Sequence, residues 1–229
     1  MKVNIEHNPY IEHSNQELDW LPMDTRDRYQ LNLKNRYHDL EKYGWINSNF
    51  TYKFNSRGFR CEEFSNEPSI VFLGCSITIG IGLPAQHTWP SLVANNLNLK
   101  CYNLGIGGCS NDTAFRLAYF WLEKIKPKFV VFCQTFSARM EIFSTNGIIG
   151  TPAETVKDFY LTHWTGNTHN LHLLQTKNCL AINKLSDTVG AKFIKVDVNQ
   201  FQYKDYARDL AHPGIQSNID FSKIVMSEI

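Results

Sequence analysis

Neither sign of charge dominates this chain. Its 23 Lys and Arg against 22 Asp and Glu leave a formal net charge of +1 over 229 residues. No broad field therefore points toward nucleic acid or an anionic membrane surface. The six cysteines (Cys61, Cys75, Cys101, Cys109, Cys133, Cys179) form no C-x-x-C pair, and several sit inside apolar runs. Buried free thiols are expected rather than a disulfide framework or a thiolate metal site. No apolar run approaches the ~20 residues that a spanning helix needs. The start, "MKVNIEHNPYIEHSNQE", lacks the apolar core of a secretory signal. Internal repeats and low-complexity tracts are lacking too. The expectation is a soluble protein, cytoplasmic or released without a signal peptide, with no membrane and no nucleic-acid partner.

What the chain does have is aromatic content, 13% Phe, Trp and Tyr. That argues against disorder and suits a packed core or a surface that stacks on sugars. The length fits one domain with a full hydrophobic core. Residues 1–67 are polar and mixed in charge and read as an N-terminal extension packed on a main body, 68–229. Within the extension, Tyr29, Leu33, Tyr37, Leu40 and Tyr43 fall at helical spacing and predict one amphipathic helix. "FTYKFNSRGFR" reads as a strand and a turn.

From Pro68 onward, strands and helices alternate. "SIVFLG", "KCYNLG", "KFVVFCQT" and "AKFIKVDV" read as strands, the third apolar throughout, as in a parallel sheet covered on both faces. "TWPSLVANNL" tolerates Pro90 in its first turn. "NDTAFRLAYFWLEKI" is a strong helix with Asn111 or Asp112 as its expected cap. "NLHLLQTKNCLAINKLSDTVG" is helical with Leu171, Leu174, Cys179, Ile182 and Leu185 near one face and Gly190 as a stop. This order predicts an α/β fold, a three-layer doubly wound sheet, mainly parallel, with ligands bound beyond the carboxyl ends of its strands.

Three segments follow predicted strands and therefore gather at one edge: Gly74–Gly80, Asn103–Ser110 and Asp209–His212. In "FLGCSITIG", Ser76 stands on a glycine-flanked turn after a core strand, a common place for a nucleophile in α/β enzymes. A serine hydroxyl needs a base, and the base needs an orienting group. Of eight histidines, only His212 has an aspartate three residues before it, Asp209 in "DLAHPG". On a turn, that spacing lets the carboxylate hold one imidazole nitrogen while the other faces a serine. The bland alternatives are a helix-capping serine and a solvated turn histidine.

"GCSITIG" is similar to the first block of the SGNH (GDSL-type) hydrolase family, Gly-Asp-Ser-x-Thr-x-Gly. "NLGIGGCS" resembles its second block and "DLAHP" its last, Asp-x-x-His-Pro, in the same order. The resemblance runs from about Pro68 to the C-terminus and implies that family's flavodoxin-like fold. It places the nucleophile on Ser76, the acid on Asp209, the base on His212, and oxyanion donors on the Ser76 and Gly108 N–H groups. Thr78 and Gly80 would shape the turn. Two positions depart from the pattern. Cys75 stands where the family has aspartate, and "CQTFSAR" puts Phe136 near the asparagine that completes the oxyanion hole. Phenylalanine cannot donate, so Gln134, Thr135 or Asn111 is expected to stand in, with Gln134 foremost.

Cys75, Asn111, Thr135 and Arg139 are the expected substrate-contacting residues, although Arg139 and Glu141 could instead pair with each other. The glycines at 105, 107 and 108 do not fall in a Gly-x-Gly-x-x-Gly frame, and no lysine follows as in a phosphate loop. His163, His169 and His172 lack a matching carboxylate or cysteine, so no metal site is expected. The resemblance implies a serine ester hydrolase needing no cofactor, acting through an acyl-enzyme on a small-molecule or glycan ester such as an O-acetyl carbohydrate. O-acyl transfer, or a catalytically weak module binding a glycan or protein, is the alternative.

Overall fold

The structure, a computed structural model, describes residues 8–144, 147–151 and 167–229. Its N-terminal part pairs β1 (Glu17–Leu18) antiparallel with β2 (Tyr52–Lys53). Between them, two helices form where one was expected. The first is α1 (Arg26–Asn35), capped by the Thr25 hydroxyl, which accepts from the Arg28 N–H at 3.2 Å; the second is α2 (Tyr37–Lys42). The break falls at Arg36, whose φ of −137° leaves the helical region. It turns Leu40 into a pocket with Trp45, Leu83, Ala207 and Leu210, and leaves Tyr37 exposed rather than on the buried face.

The main body is built on β3 (Ser69–Leu73), β4 (Lys100–Asn103) and β5 (Phe129–Gln134). With β8 (Lys192–Asp197) they form a four-stranded sheet of order β4-β3-β5-β8, and every pairing is parallel. All five residues of β3 are buried, as a central strand covered on both faces requires. The expected doubly wound architecture is the one found. The turn Ser76–Ile79 is a single helical turn, α3. Helix α4 (Trp89–Asn96) packs with α7 (Ile215–Ser227) on one face. The other face is covered by α5 (Asn111–Ile125) and α6 (Thr168–Thr188). Between β5 and α6 lies a hairpin that the sequence reading did not anticipate, β6 (Met140–Ser144) with β7 (Gly147–Thr151).

Two details differ from expectation. The cap of α5 is Ser110, whose hydroxyl accepts from the Thr113 N–H at 3.3 Å, and not Asn111 or Asp112. On α6, only Ile182 of the expected apolar face is fully buried, with the polar Asn178 and Ser186 beside it. On the α4/α7 side, Trp89 stands edge-on to Phe72 at 5.2 Å and to Phe221 at 5.3 Å. Its main-chain N–H donates to Asn218 Oδ1 at 3.0 Å, which ties α4 to α7. No helix among the described residues is long and apolar enough to cross a membrane. Truncating Trp89 to alanine should cost about 3–5 kcal/mol. Urea unfolding of Trp89→Ala measures it, and a loss below about 1 kcal/mol would contradict this packing.

Candidate active site

Parallel strands end at one edge of the sheet, and the chemistry gathers there. After β3 the chain turns through Gly74, where an added Cβ would meet Thr78 Oγ1 at 2.2 Å. Only glycine fits so tight a turn. Ser76 follows at the start of α3, half-buried, and Gly80 ends the turn with a left-handed φ of 78°. Among the described residues, neither the hydroxyl nor the main-chain N–H of Ser76 has a hydrogen-bond partner. The far end of the turn is clamped by Arg60. Its guanidinium donates to the carbonyls of Ile79 (3.0 Å), Gly80 (2.7 Å) and Leu83 (2.7 Å), and burial draws its pKa down to about 10.

The loop after β4 is stitched to that turn. Asn103 donates its amide to the Thr78 carbonyl at 2.7 Å and accepts from the Gly105 N–H at 3.0 Å. Gly74 O accepts from the Ile106 N–H at 2.9 Å and from the Cys109 thiol at 3.1 Å. Gly108 then swings outward with φ +72° into open space. Its N–H, like that of Ser76, has no acceptor among the described residues. Gly108 is exposed and Ser76 half-buried, so both N–H groups are open to a ligand, which a place for developing negative charge requires.

Beyond β8, Asp209 Oδ2 lies 2.6 Å from His212 Nδ1, while Oδ1 accepts from the N–H groups of Ala211 and His212 at 3.0 Å each. Burial alone would push the Asp209 carboxyl up, but the bonds from the His212 ring and the two amides prevail and hold it below the usual carboxylate range. The imidazole keeps 11% of its side chain exposed, and its Nε2 makes no hydrogen bond among the described residues. His212 and Ser76 are not hydrogen-bonded to each other, yet the loops that carry them touch. Arg208 N–H donates to Gly82 O at 3.0 Å, and a Cβ added at Gly82 would stand 3.3 Å from Asp209 Oδ1. Tyr203, whose hydroxyl is pushed up to about 12 first by burial, also feels both Cys75 and Asp209.

The end of β5 shows how the departing third block is used. Gln134 is the last residue of β5, two places beyond its final pair with β3, Leu73–Phe132. Gln134 is 5% exposed, and its side-chain amide has no partner among the described residues. Asn111 is fully engaged elsewhere: its amide donates to Thr135 O at 3.1 Å and accepts from the Thr135 N–H at 2.9 Å. Cys75 is buried. Little of either residue is left for a ligand to touch. Phe136 is 46% exposed, with the Arg139 guanidinium 4.9 Å from its ring, and Arg139 donates to Thr135 Oγ1 at 3.3 Å. Glu141 does not pair with Arg139. It forms a buried ion pair with Arg116 at 2.8 Å and accepts from the Thr113 hydroxyl at 3.0 Å. All six cysteines are free. His169 and His172 are exposed, His163 lies outside the described residues, and no cluster among the described residues could hold a metal.

The contribution of the N-terminal part was missed by sequence reasoning, because single Tyr, Arg and Asp residues scattered over a polar stretch carry no spacing signal. Tyr10 Oη accepts from the Gly107 N–H at 3.2 Å and Tyr52 Oη from the Gly82 N–H at 2.7 Å. Tyr52 in turn donates to Asp24. Asp24 also binds Arg208 at 2.7 Å, with side-chain exposures of 1% and 2%. Arg208 further donates to the carbonyl of Asp19 at 2.9 Å. Residues 8–60 thus reach all three strand-end loops.

No family model matches the chain, and no curated protein matches it. Among solved structures, it is similar to TesA at 12% identity and a TM-score of 0.49, over 70% of this chain and 97% of that one. It is also similar to a GDSL-like lipase from Bacteroides thetaiotaomicron, at 13% identity and a TM-score of 0.35 over 69% and 60% of the two chains. A family two carbohydrate esterase from Clostridium thermocellum, in complex with cellohexaose, gives 16% identity and a TM-score of 0.39 over 73% and 65%.

The Asp24–Arg208 pair yields a stability prediction. Asp24→Ala strands a buried guanidinium and should cost about 3–5 kcal/mol. Denaturant unfolding checks this, and a change under about 1 kcal/mol would show that Arg208 is not dependent on Asp24.

Proposed function

We propose that the protein is a serine ester hydrolase of the SGNH type, working through an acyl-enzyme. The observation that carries the reading is the Asp209–His212 contact at 2.6 Å, with Nε2 left free, on a loop hydrogen-bonded to Gly82, two residues beyond the Ser76 turn. Ser76 Oγ attacks the acyl carbon while His212 Nε2 takes its proton, and Asp209 stabilises the imidazolium. The carbonyl oxygen, now negative, is received by the N–H groups of Ser76 and Gly108, with the Gln134 amide as the third donor. Collapse of the intermediate breaks the ester C–O bond, and His212 returns its proton to the leaving alcohol. His212 then deprotonates a water that attacks the acyl-enzyme and frees Ser76. No step calls for a metal or an organic cofactor.

Small acyl groups on a carbohydrate hydroxyl are the proposed substrate. Phe136, two residues beyond β5, and Tyr203 are both exposed and offer ring faces for a sugar. Capture of the same acyl-enzyme by a second hydroxyl would make the protein an O-acyltransferase. The second reading, a module that binds a glycan or protein without turnover, is favoured by one observation: Phe136 occupies the position where a donor would be expected.

Incubation with p-nitrophenyl acetate and a fluorophosphonate probe separates these readings. Wild type should turn over and label. Ser76→Ala and His212→Ala should do neither, and Gln134→Leu should lose about a hundred- to a thousandfold in kcat. Equal behaviour of Ser76→Ala and wild type would leave the binding module as the surviving account.

A further inference from the structure

We propose that Arg28, on the N-terminal helix α1, is a positioning residue of the active centre that sets the aim of the Asp209–His212 pair; this rests on the esterase reading above. Arg28 and Asn32 stand four residues apart and project from one side of α1, and Arg36 is the residue at which that helix ends. They do not meet three unrelated targets. Arg28 Nε donates to the carbonyl of Asp209 at 2.8 Å, and Asn32 Nδ2 to the same oxygen at 3.3 Å. Arg36 donates to the next carbonyl, that of Leu210, at 3.3 Å. Two side chains of α1 and the residue that ends it thus hold two successive peptide oxygens of the catalytic loop.

Those oxygens need holding. Leu210 has a φ of +52°, a conformation that a bulky side chain rarely adopts and that persists only where the surroundings fix it. This left-handed corner turns the chain so that the N–H groups of Ala211 and His212 point back at Asp209 Oδ1. The corner therefore fixes both ends of the Asp209–His212 bond. A charged donor on the Asp209 carbonyl is the strongest of its restraints from α1. If Arg28 lets go, the carboxylate shifts, the imidazole shifts with it, and the line from Nε2 to the serine oxygen is lost. A misplacement of about 1 Å at such a pair costs on the order of a hundredfold in rate. The Arg28 side chain has one hydrogen bond among the described residues, to the Asp209 carbonyl, so it acts through Asp209.

The full-length protein tests this through the rate at which a fluorophosphonate labels Ser76 and through kcat and KM for p-nitrophenyl acetate. Arg28→Ala should label about ten- to a hundredfold more slowly, with the fall in kcat and KM little changed. Millimolar ethylguanidinium, which can reoccupy the half-buried guanidinium site, should restore much of the rate. Arg26→Ala, an exposed position on the same helix, should label at the wild-type rate. Should Arg28→Ala fail to fold, Arg28→Gln carries the same comparison. Ser76-dependent labelling that is indifferent to Arg28, or a loss that ethylguanidinium does not relieve, overturns the inference alone. Labelling of Ser76→Ala at the wild-type rate sinks the esterase reading and this inference with it.

Discussion

The main chain between Asp209 and His212 bends through a left-handed leucine, and the contact between those two side chains depends on that bend being held. A leucine at φ +52° does not stay there by its own preference. It stays because its side chain is packed with Leu40, Trp45, Leu83 and Ala207, and because its carbonyl accepts from Arg36 and that of Asp209 from Arg28. Apolar burial fixes the side chain, and directional hydrogen bonds fix the backbone. Together they hold the Asp209 carboxylate against the His212 ring across four consecutive residues.

The same economy governs the other two loops. Gly74 O, Asn103 and Thr78 tie the turn after β3 to the loop after β4, so neither can move without breaking main-chain bonds of the other. Arg60 closes the far end of the turn, and Tyr52 bridges it to the buried Asp24–Arg208 pair. The Ser76 hydroxyl, the N–H groups of Ser76 and Gly108, His212 Nε2 and the Gln134 amide all lack protein partners among the described residues. All belong to segments that follow or end strands of one parallel sheet, as ligand-binding groups in such folds do.

Much of this was legible in the sequence, for identifiable reasons. The sheet was readable because β3 and β5 are short and nearly all apolar, a pattern that few structures other than covered parallel strands produce. Asp209 and His212 were readable because a three-residue spacing on a turn is a local relation. The helix break at Arg36 was not, since Tyr37 keeps the helical period and only tertiary packing of Leu40 reveals the bend. The cap of α5 was misassigned because Ser110, Asn111 and Asp112 all qualify by type, and it is the pull of the Thr135 backbone on Asn111 that leaves Ser110 to cap. The N-terminal layer stayed hidden for a deeper reason. Arg28 and Asp209 are separated by most of the chain, and no periodicity connects a donor to a carbonyl that distant.

The most direct test of the account is a crystal structure of the protein after reaction with a small alkyl phosphonate ester, a mimic of the tetrahedral intermediate. The account predicts phosphorus bonded to Ser76 Oγ, and a phosphonyl oxygen within hydrogen-bond distance of the N–H groups of Ser76 and Gly108. His212 Nε2 should then lie within reach of the serine oxygen, with its bond to Asp209 intact. An adduct on any other residue, or a phosphonyl oxygen turned away from Gly108 with His212 pointing elsewhere, would contradict it.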